Sequence, residues 1–237
     1  MSQAYQWNSY IAEALGTFMF FFVGIGAAYS LFGEAWATIA VAIALAHGLA
    51  LLVVVSAFGA VSGGHFNPAV TTGIWIVGKI APGKAVGYIA AQLIGAVAAA
   101  ALVRYIFPEA IPSTAGLPAL SPDLNLFQGI VVEAGVTMLL LTAVLGTAVD
   151  NRAAKIGGIA IGLAVAAGIL MAGTLTGGAL NPARWFGPAV VAGDFDNALV
   201  WIIGPVLGAA IIAAVYRFLI LPQADAEAAA EAADEPA

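Results

Sequence analysis

The sequence predicts an all-α membrane protein with six transmembrane helices and two re-entrant half-helices, arranged as an inverted 3+3 repeat. Three observations predict it. Of the 237 residues, 62% are hydrophobic and 8% charged, with a mean hydropathy of +1.02, whereas soluble domains carry about a quarter charged residues. Six apolar runs reach the roughly 20 residues needed to cross about 30 Å of hydrocarbon. The tripeptide Asn-Pro-Ala also occurs once in each half, as Asn67-Pro68-Ala69 and Asn181-Pro182-Ala183, each time behind a Gly-Gly pair and ahead of a segment too short to span.

The first two spans are expected at 9–32 and 35–58 and the third at 83–107, with a half-helix at 68–78 between the second and third. The second half repeats this order, with spans at 126–149, 156–175 and 197–220 and a half-helix at 182–192. At about 1.5 Å per residue each half-helix covers roughly half the hydrocarbon, so two placed end to end just cross it. The Gly-rich backbone before each cannot face lipid, because its polar groups need protein or a watery cavity. Residues 1–221 are therefore read as a single channel domain with halves at 9–107 and 126–221, and residues 222–237 as an acidic, Ala-rich cytosolic tail. Met1 to Asn8 contains no basic residue, so no cleavable signal is expected.

The loops give the orientation. Lys79, Lys84, Arg152, Lys155 and Arg217 fall on one side and Glu34, Glu109, Asp123, Asp194 and Asp196 on the other. The positive-inside rule makes the basic side, and with it both termini, cytoplasmic. Three spans per half is an odd number, so the second copy enters from the opposite side, as in inverted repeats related by a pseudo-two-fold axis in the membrane plane. Glu13 and Glu133 sit at matching points of the halves, and SGGHFNPAV at 62–70 is echoed by TGGALNPAR at 176–184. Under that axis the two Asn-Pro-Ala helix starts meet near the midplane.

Asn followed by Pro suits a helix start: the Asn oxygen caps free N–H groups and Pro fills the first helical position, where no donor is missed. The amide NH2 of Asn67 and of Asn181 is then left with two donors for whatever passes. Facing helix N-termini, each with about half a positive charge, repel cations there. The extended backbone of Gly63, Gly64, His65 and Phe66, and of Gly177, Gly178, Ala179 and Leu180, offers a ladder of carbonyl acceptors on either side. Glu13 and Glu133 are read as structural acceptors for loop N–H groups rather than as a proton relay, and Trp7, Trp36 and Trp201 as interfacial belt residues. Arg184, one turn inside a half-helix that protein must surround, is a functional candidate, since charges inside membranes seldom occur otherwise. With two histidines, no cysteine and no clustered carboxylates, neither an enzyme nor a metal or cofactor site is expected.

The doubled motif, together with AEALGTF at 12–18, GYIAAQLIG at 87–95 and GPVLGAAI at 204–211, resembles the aquaporins of the major intrinsic protein family over residues 9–221. The resemblance implies a homotetramer with a water pore in every subunit and a narrow filter on the extracellular side of the two asparagines. Carried over from the motifs, that filter is His47, Ile169, Gly178 and Arg184, a set similar to that of plant tonoplast intrinsic proteins, several of which pass ammonia or urea besides water. Glycerol facilitators usually carry Asp after the second motif and a basic residue four positions on, where this chain has Trp185 and Ala189. The expected function is a passive, proton-excluding water channel of the plasma or inner membrane, touching water, small neutral solutes and lipid but no nucleic acid. A broader channel for ammonia, urea or other small neutral solutes is the alternative within the class. A coupled secondary transporter is the alternative outside it, since transporters also use inverted repeats; a membrane-junction protein finds little support in such short outer loops.

Overall fold

The computed structural model describes residues 3–221, so the acidic tail lies outside the described residues. The chain forms helices α1 (Gln3–Ser30), α2 (Trp36–Ser62), α3 (Pro68–Ile76), α4 (Pro82–Ile106), α5 (Leu126–Val144), α6 (Gly157–Thr176), α7 (Pro182–Ala192) and α8 (Leu199–Val215). Helices α5 and α8 each run on into a five-residue π-helical turn, Leu145–Val149 and Tyr216–Ile220. With those turns included, six helices among the described residues are long and apolar enough to cross a membrane. Helices α3 and α7, with 9 and 11 residues, are about 14 and 16 Å long and together match the hydrocarbon thickness. The fold class is the one predicted, with α3 ending at Ile76, two residues early.

Local chemistry sets the boundaries. Asn125 opens α5 through a capping box with Gln128, and Pro82 occupies the first turn of α4. Helices α2 and α6 stop at Gly63 and Gly177, whose φ values of 92° and 81° lie in the left-handed region that glycine tolerates. The chain then leaves each helix as irregular backbone rather than the extended segments expected, since Gly64 and Gly178 also have positive φ, at 66° and 58°.

Within each half the packing is duplicated. Helix α1 packs on α2 and α4, and α5 on α6 and α8, while α2 and α6 join the halves. The half-helices are exchanged: α3 packs on α8 of the other half and α7 on α4. Small residues allow these approaches, which in lipid rest on close van der Waals contact. A methyl group at Gly48 would lie 2.6 Å from the Gly162 carbonyl oxygen, and one at Gly162 would lie 2.4 Å from that of Gly48. These two glycines are separated in sequence by the same interval as Asn67 and Asn181, so α2 and α6 cross on the pseudo-two-fold axis. Gly95 against the Ala14 oxygen and Gly208 against that of Ala134 make the corresponding crossings inside each half.

The connections place Lys79, Lys84, Arg152, Lys155 and Arg217 on one face and Glu34, Glu109, Asp123, Asp194 and Asp196 on the other, joined there by Arg104 in the last turn of α4. On the basic face Arg217 donates to the Ile76 carbonyl at the C-terminal end of α3, where a cation also complements the helix dipole. Trp7 is exposed as a belt residue would be, but Trp201 is 2% exposed. That expectation fails because its indole N–H is needed inside: it donates to the Thr176 carbonyl at 2.9 Å, and its ring stacks on Trp185.

Replacing Gly162 by Val should cost about 1–3 kcal/mol through overpacking of the α2–α6 crossing. The open position of Gly83, with nothing within 4 Å of a methyl group, should accept Ala. Thermal unfolding followed by tryptophan fluorescence checks this; equal melting temperatures for the two variants would refute the crossing.

Candidate pore

The two irregular loops carry backbone that helices would otherwise satisfy, and each is held by one buried carboxylate. Glu13 Oε1 accepts from the Ser62 hydroxyl (2.6 Å) and the His65 N–H (2.9 Å), and its Oε2 accepts from the Phe66 N–H (2.7 Å) and from Gln92 Nε2 (2.7 Å). Glu133 repeats the pattern with the Thr176 hydroxyl (2.6 Å), the Ala179 N–H (2.9 Å) and the Leu180 N–H (2.8 Å). Ser62 and Thr176 accept in turn from the N–H groups of Gly64 and Gly178. The Ser62 carbonyl is bonded by the Tyr88 hydroxyl at 2.7 Å, as the Thr176 carbonyl is by Trp201. Both carboxylates are fully buried, and they hold Phe66 (φ 46°) and Leu180 (φ 54°) in the left-handed region, a conformation of order 1–3 kcal/mol unfavourable outside glycine.

Asn67 and Asn181 cap their half-helices as expected, each side-chain oxygen accepting from the Ala two residues on, Ala69 at 2.8 Å and Ala183 at 2.9 Å. Pro68 and Pro182 take the first helical positions. The amide groups differ from the sequence reading. Asn67 Nδ2 donates to the Leu180 carbonyl and Asn181 Nδ2 to the Phe66 carbonyl, both at 2.9 Å. A buried carbonyl turned away from its own chain requires a donor, and the other half supplies it. One N–H of each asparagine therefore remains, not two, and the carbonyls of Phe66 and Leu180 each accept one bond across the axis, which leaves a second lone pair on each. Both asparagines line one central chamber, together with Gly64, His65 and Ala179.

The residues assigned to the filter are brought together in two touching pairs. Arg184 Nε donates to His47 Nε2 at 2.9 Å, while His47 Nδ1 lies 2.9 Å from the Ile43 carbonyl. Since a carbonyl only accepts, Nδ1 carries the proton and Nε2 presents its lone pair to the guanidinium. A methyl group on Gly178 would lie 3.0 Å from Ile169 Cα, so these two residues are also in contact. Gly24 makes room for the imidazole, because a side chain there would meet the ring at 2.4 Å. A fifth participant escaped the sequence: the Gly116 carbonyl, in the loop before α5, accepts from Arg184 Nη1 at 2.6 Å. No motif marks that glycine.

Three cavities lie between the two faces, two of them sharing walls. A vestibule of about 340 Å³ opens on the basic face, and its walls include Lys79, Lys84, Tyr88 and His65. It shares Gly64, His65, Val70, Val144 and Ile161 with the central chamber, whose volume of about 10 Å³ is room for about one water molecule. A vestibule of about 340 Å³ on the acidic face reaches Gly116, Gly177 and Arg184. His47 stands between that vestibule and the chamber, bonded to Arg184 on one side and edge-on to Phe20 of the chamber wall on the other. Among the described residues no group of three His, Asp or Glu side chains is placed to hold a metal.

Comparison with known proteins places this architecture. The family profile described as Major intrinsic protein matches residues 1–216. A probable aquaporin TIP2-2 of Oryza sativa subsp. japonica is 41% identical over 222 residues, covering 90% of this chain and 88% of its own length. The lens fiber major intrinsic protein of Lithobates pipiens is 38% identical, covering 92% of this chain and 82% of its own. Among solved structures, the aquaglyceroporin from Plasmodium falciparum superposes with a TM-score of 0.79 at 25% identity, covering 93% of this chain and 99% of its own.

Removing the Glu133 carboxylate strands two buried N–H groups and a hydroxyl, at about 1–3 kcal/mol for each. Glu133→Leu should therefore melt far below the parent protein, and Glu133→Gln, which keeps one acceptor oxygen, should lie between. Differential scanning fluorimetry in detergent reads the order, and a Glu133→Leu variant as stable as the parent would refute it.

Proposed function

The chain belongs to the major intrinsic protein family, as an integral membrane channel of the aquaporin type without enzymatic activity, and from that premise we propose that it conducts water passively while excluding protons and ions. The observation that carries this reading is the exchange of amide hydrogen bonds between the halves. With one proton of each asparagine fixed on the opposite loop, the remaining N–H of Asn67 and that of Asn181 converge on the central chamber. A water oxygen accepting both has its own hydrogens turned outward along the axis, which breaks the donor chain a proton would follow. The helix starts behind the asparagines add a positive potential that repels cations. Carbonyls of Gly63 to His65 and of Gly177 to Ala179 replace bulk hydrogen bonds at little net cost.

We assign selection to His47, Ile169, Gly178 and Arg184. The guanidinium and imidazole form a polar wall that exchanges hydrogen bonds with water, and the Ile169 side chain faces it as an apolar wall, with Gly178 contributing only its carbonyl. That apolar wall favours, as the second reading, passage of ammonia, urea or another small neutral solute beside water. Residues 1–221 act as one channel domain, and the family resemblance supports a homotetramer with a pore in every subunit. The basic face is cytoplasmic by the positive-inside rule. We place the channel in the cell membrane, with the vacuolar membrane as the competing location suggested by the TIP-type plant relatives.

Proteoliposomes shrinking under an impermeant osmolyte should show water flux linear in the osmotic gradient and insensitive to ion or proton gradients; saturation or coupling would favour a transporter. His47→Ala with Arg184→Val should raise urea and ammonia uptake more than water flux, and unchanged selectivity would remove the four residues from the filter.

A further inference from the structure

The prolines that start the two half-helices border a further cavity, of about 320 Å³, which shares no wall residue with the central chamber or with either vestibule. Leu93 of α4, Trp185 of α7 and Val206 of α8 close it around Pro68 and Pro182. Helices α4 and α8 flank it, and both half-helices pack on each of them. Each Asn-Pro pair therefore presents its amide to the chamber and its pyrrolidine ring to this second space.

The walls give water little to bond. Proline has no N–H, so the first position of each half-helix offers ring carbons where another residue would offer a donor. The one hydroxyl on the walls, that of Thr72, donates to the Pro68 carbonyl at 2.8 Å. An apolar cavity of this kind stays dry, and leaving it empty forfeits dispersion contacts along its whole lining.

The surroundings name the occupant. Since α3 and α7 together match the hydrocarbon thickness, their starts, and the cavity with them, lie near the middle of the bilayer. A groove of about 580 Å³ shares Leu93 and Phe186 with the cavity and follows α4 past Ile94, 68% exposed, to Ala98. The path from lipid to the buried prolines is thus open. From Ile89 to Ala98 is nine residues, about 14 Å of helix, close to the roughly 15 Å of one leaflet's hydrocarbon. A helix of a second copy, about 10 Å across, is too wide for the cavity, whereas a single hydrocarbon chain is not.

We propose that this cavity is a binding site for the terminal part of a phospholipid acyl chain, which enters along the α4 groove and ends against Pro68 and Pro182. The bound chain completes the packing behind the junction of the half-helices. The site stands apart from the conduction reading, and binding alone tests it.

Trp185 is the reporter, because it lines the cavity and is only 2% exposed. With Trp7→Phe, Trp36→Phe and Trp75→Phe, the stacked pair of Trp185 and Trp201 carries the fluorescence. In vesicles of phosphatidylcholine brominated at the chain ends, this buried pair should be strongly quenched, and bromine placed near the headgroup should quench it far less. Val206→Phe and Ile89→Phe fill the cavity from opposite walls, so each should abolish the quenching by itself and a folding failure of one leaves the other. An unquenched parent, or quenching indifferent to both fillings, overturns the proposal. Quenching that appears only at high lipid-to-protein ratio, where copies of the chain part, shows that a second copy holds this face and overturns it too. A phosphatidylcholine with a photoreactive diazirine at the chain end, used on the unsubstituted chain, gives a readout independent of the fillings. Peptide mapping should find its label at Leu93, Ile202 or Val206; label confined to freely exposed Val86 and Val53, at 68% and 61%, would show ordinary surface lipid and refute the site.

Discussion

Two buried carboxylates solve the problem on which this architecture depends. A backbone that leaves the helix inside a membrane has N–H groups that neither lipid nor a distant helix can satisfy. Glu13 and Glu133 gather those N–H groups, together with the Ser62 and Thr176 hydroxyls, onto a pair of oxygens in each half. Only with the loops fixed in this way can their carbonyls be turned toward a lumen and two half-helices be aimed at one another. A polar pathway through an apolar protein thus follows from one donor–acceptor match, made twice.

The duplication is close where the backbone is strained and loose elsewhere. Hydrogen bonds of the first loop reappear in the second within about 0.2 Å, and Tyr88 and Trp201 perform the same bond with different chemistry. Yet Gln92, which bonds Glu13 and Thr71, has no counterpart beside Glu133 among the bonds of the second half. The halves diverge where one opens on the lysine-lined vestibule and the other on the bonded pair of Arg184 and His47. Arg184 and His47 occupy the acidic-face side alone, so an almost symmetric scaffold carries a strongly asymmetric pore.

Much of this was legible in the sequence because hydrocarbon length, Asn-Pro capping and the repeat each leave a mark on it. The spans, the half-helices and the structural character of Glu13 and Glu133 could all be read. Trp201 could not, since an indole near a span end has the same sequence signature whether it faces headgroups or a buried carbonyl. The Gly116 carbonyl was hidden because a main-chain acceptor needs no particular side chain. The crossed asparagine bonds were hidden for a related reason: which way the Phe66 and Leu180 carbonyls point is decided by positive φ values, and neither residue type suggests one.

Those crossed bonds also bear on the origin of the molecule. Each repeat supplies an amide whose acceptor lies in the other and packs its short helix on the other's long one. A half-length ancestor with this wiring would have been incomplete as a monomer. Only beside a second copy inserted the other way up in the same bilayer would its amide donor and its loop carbonyl both have found partners.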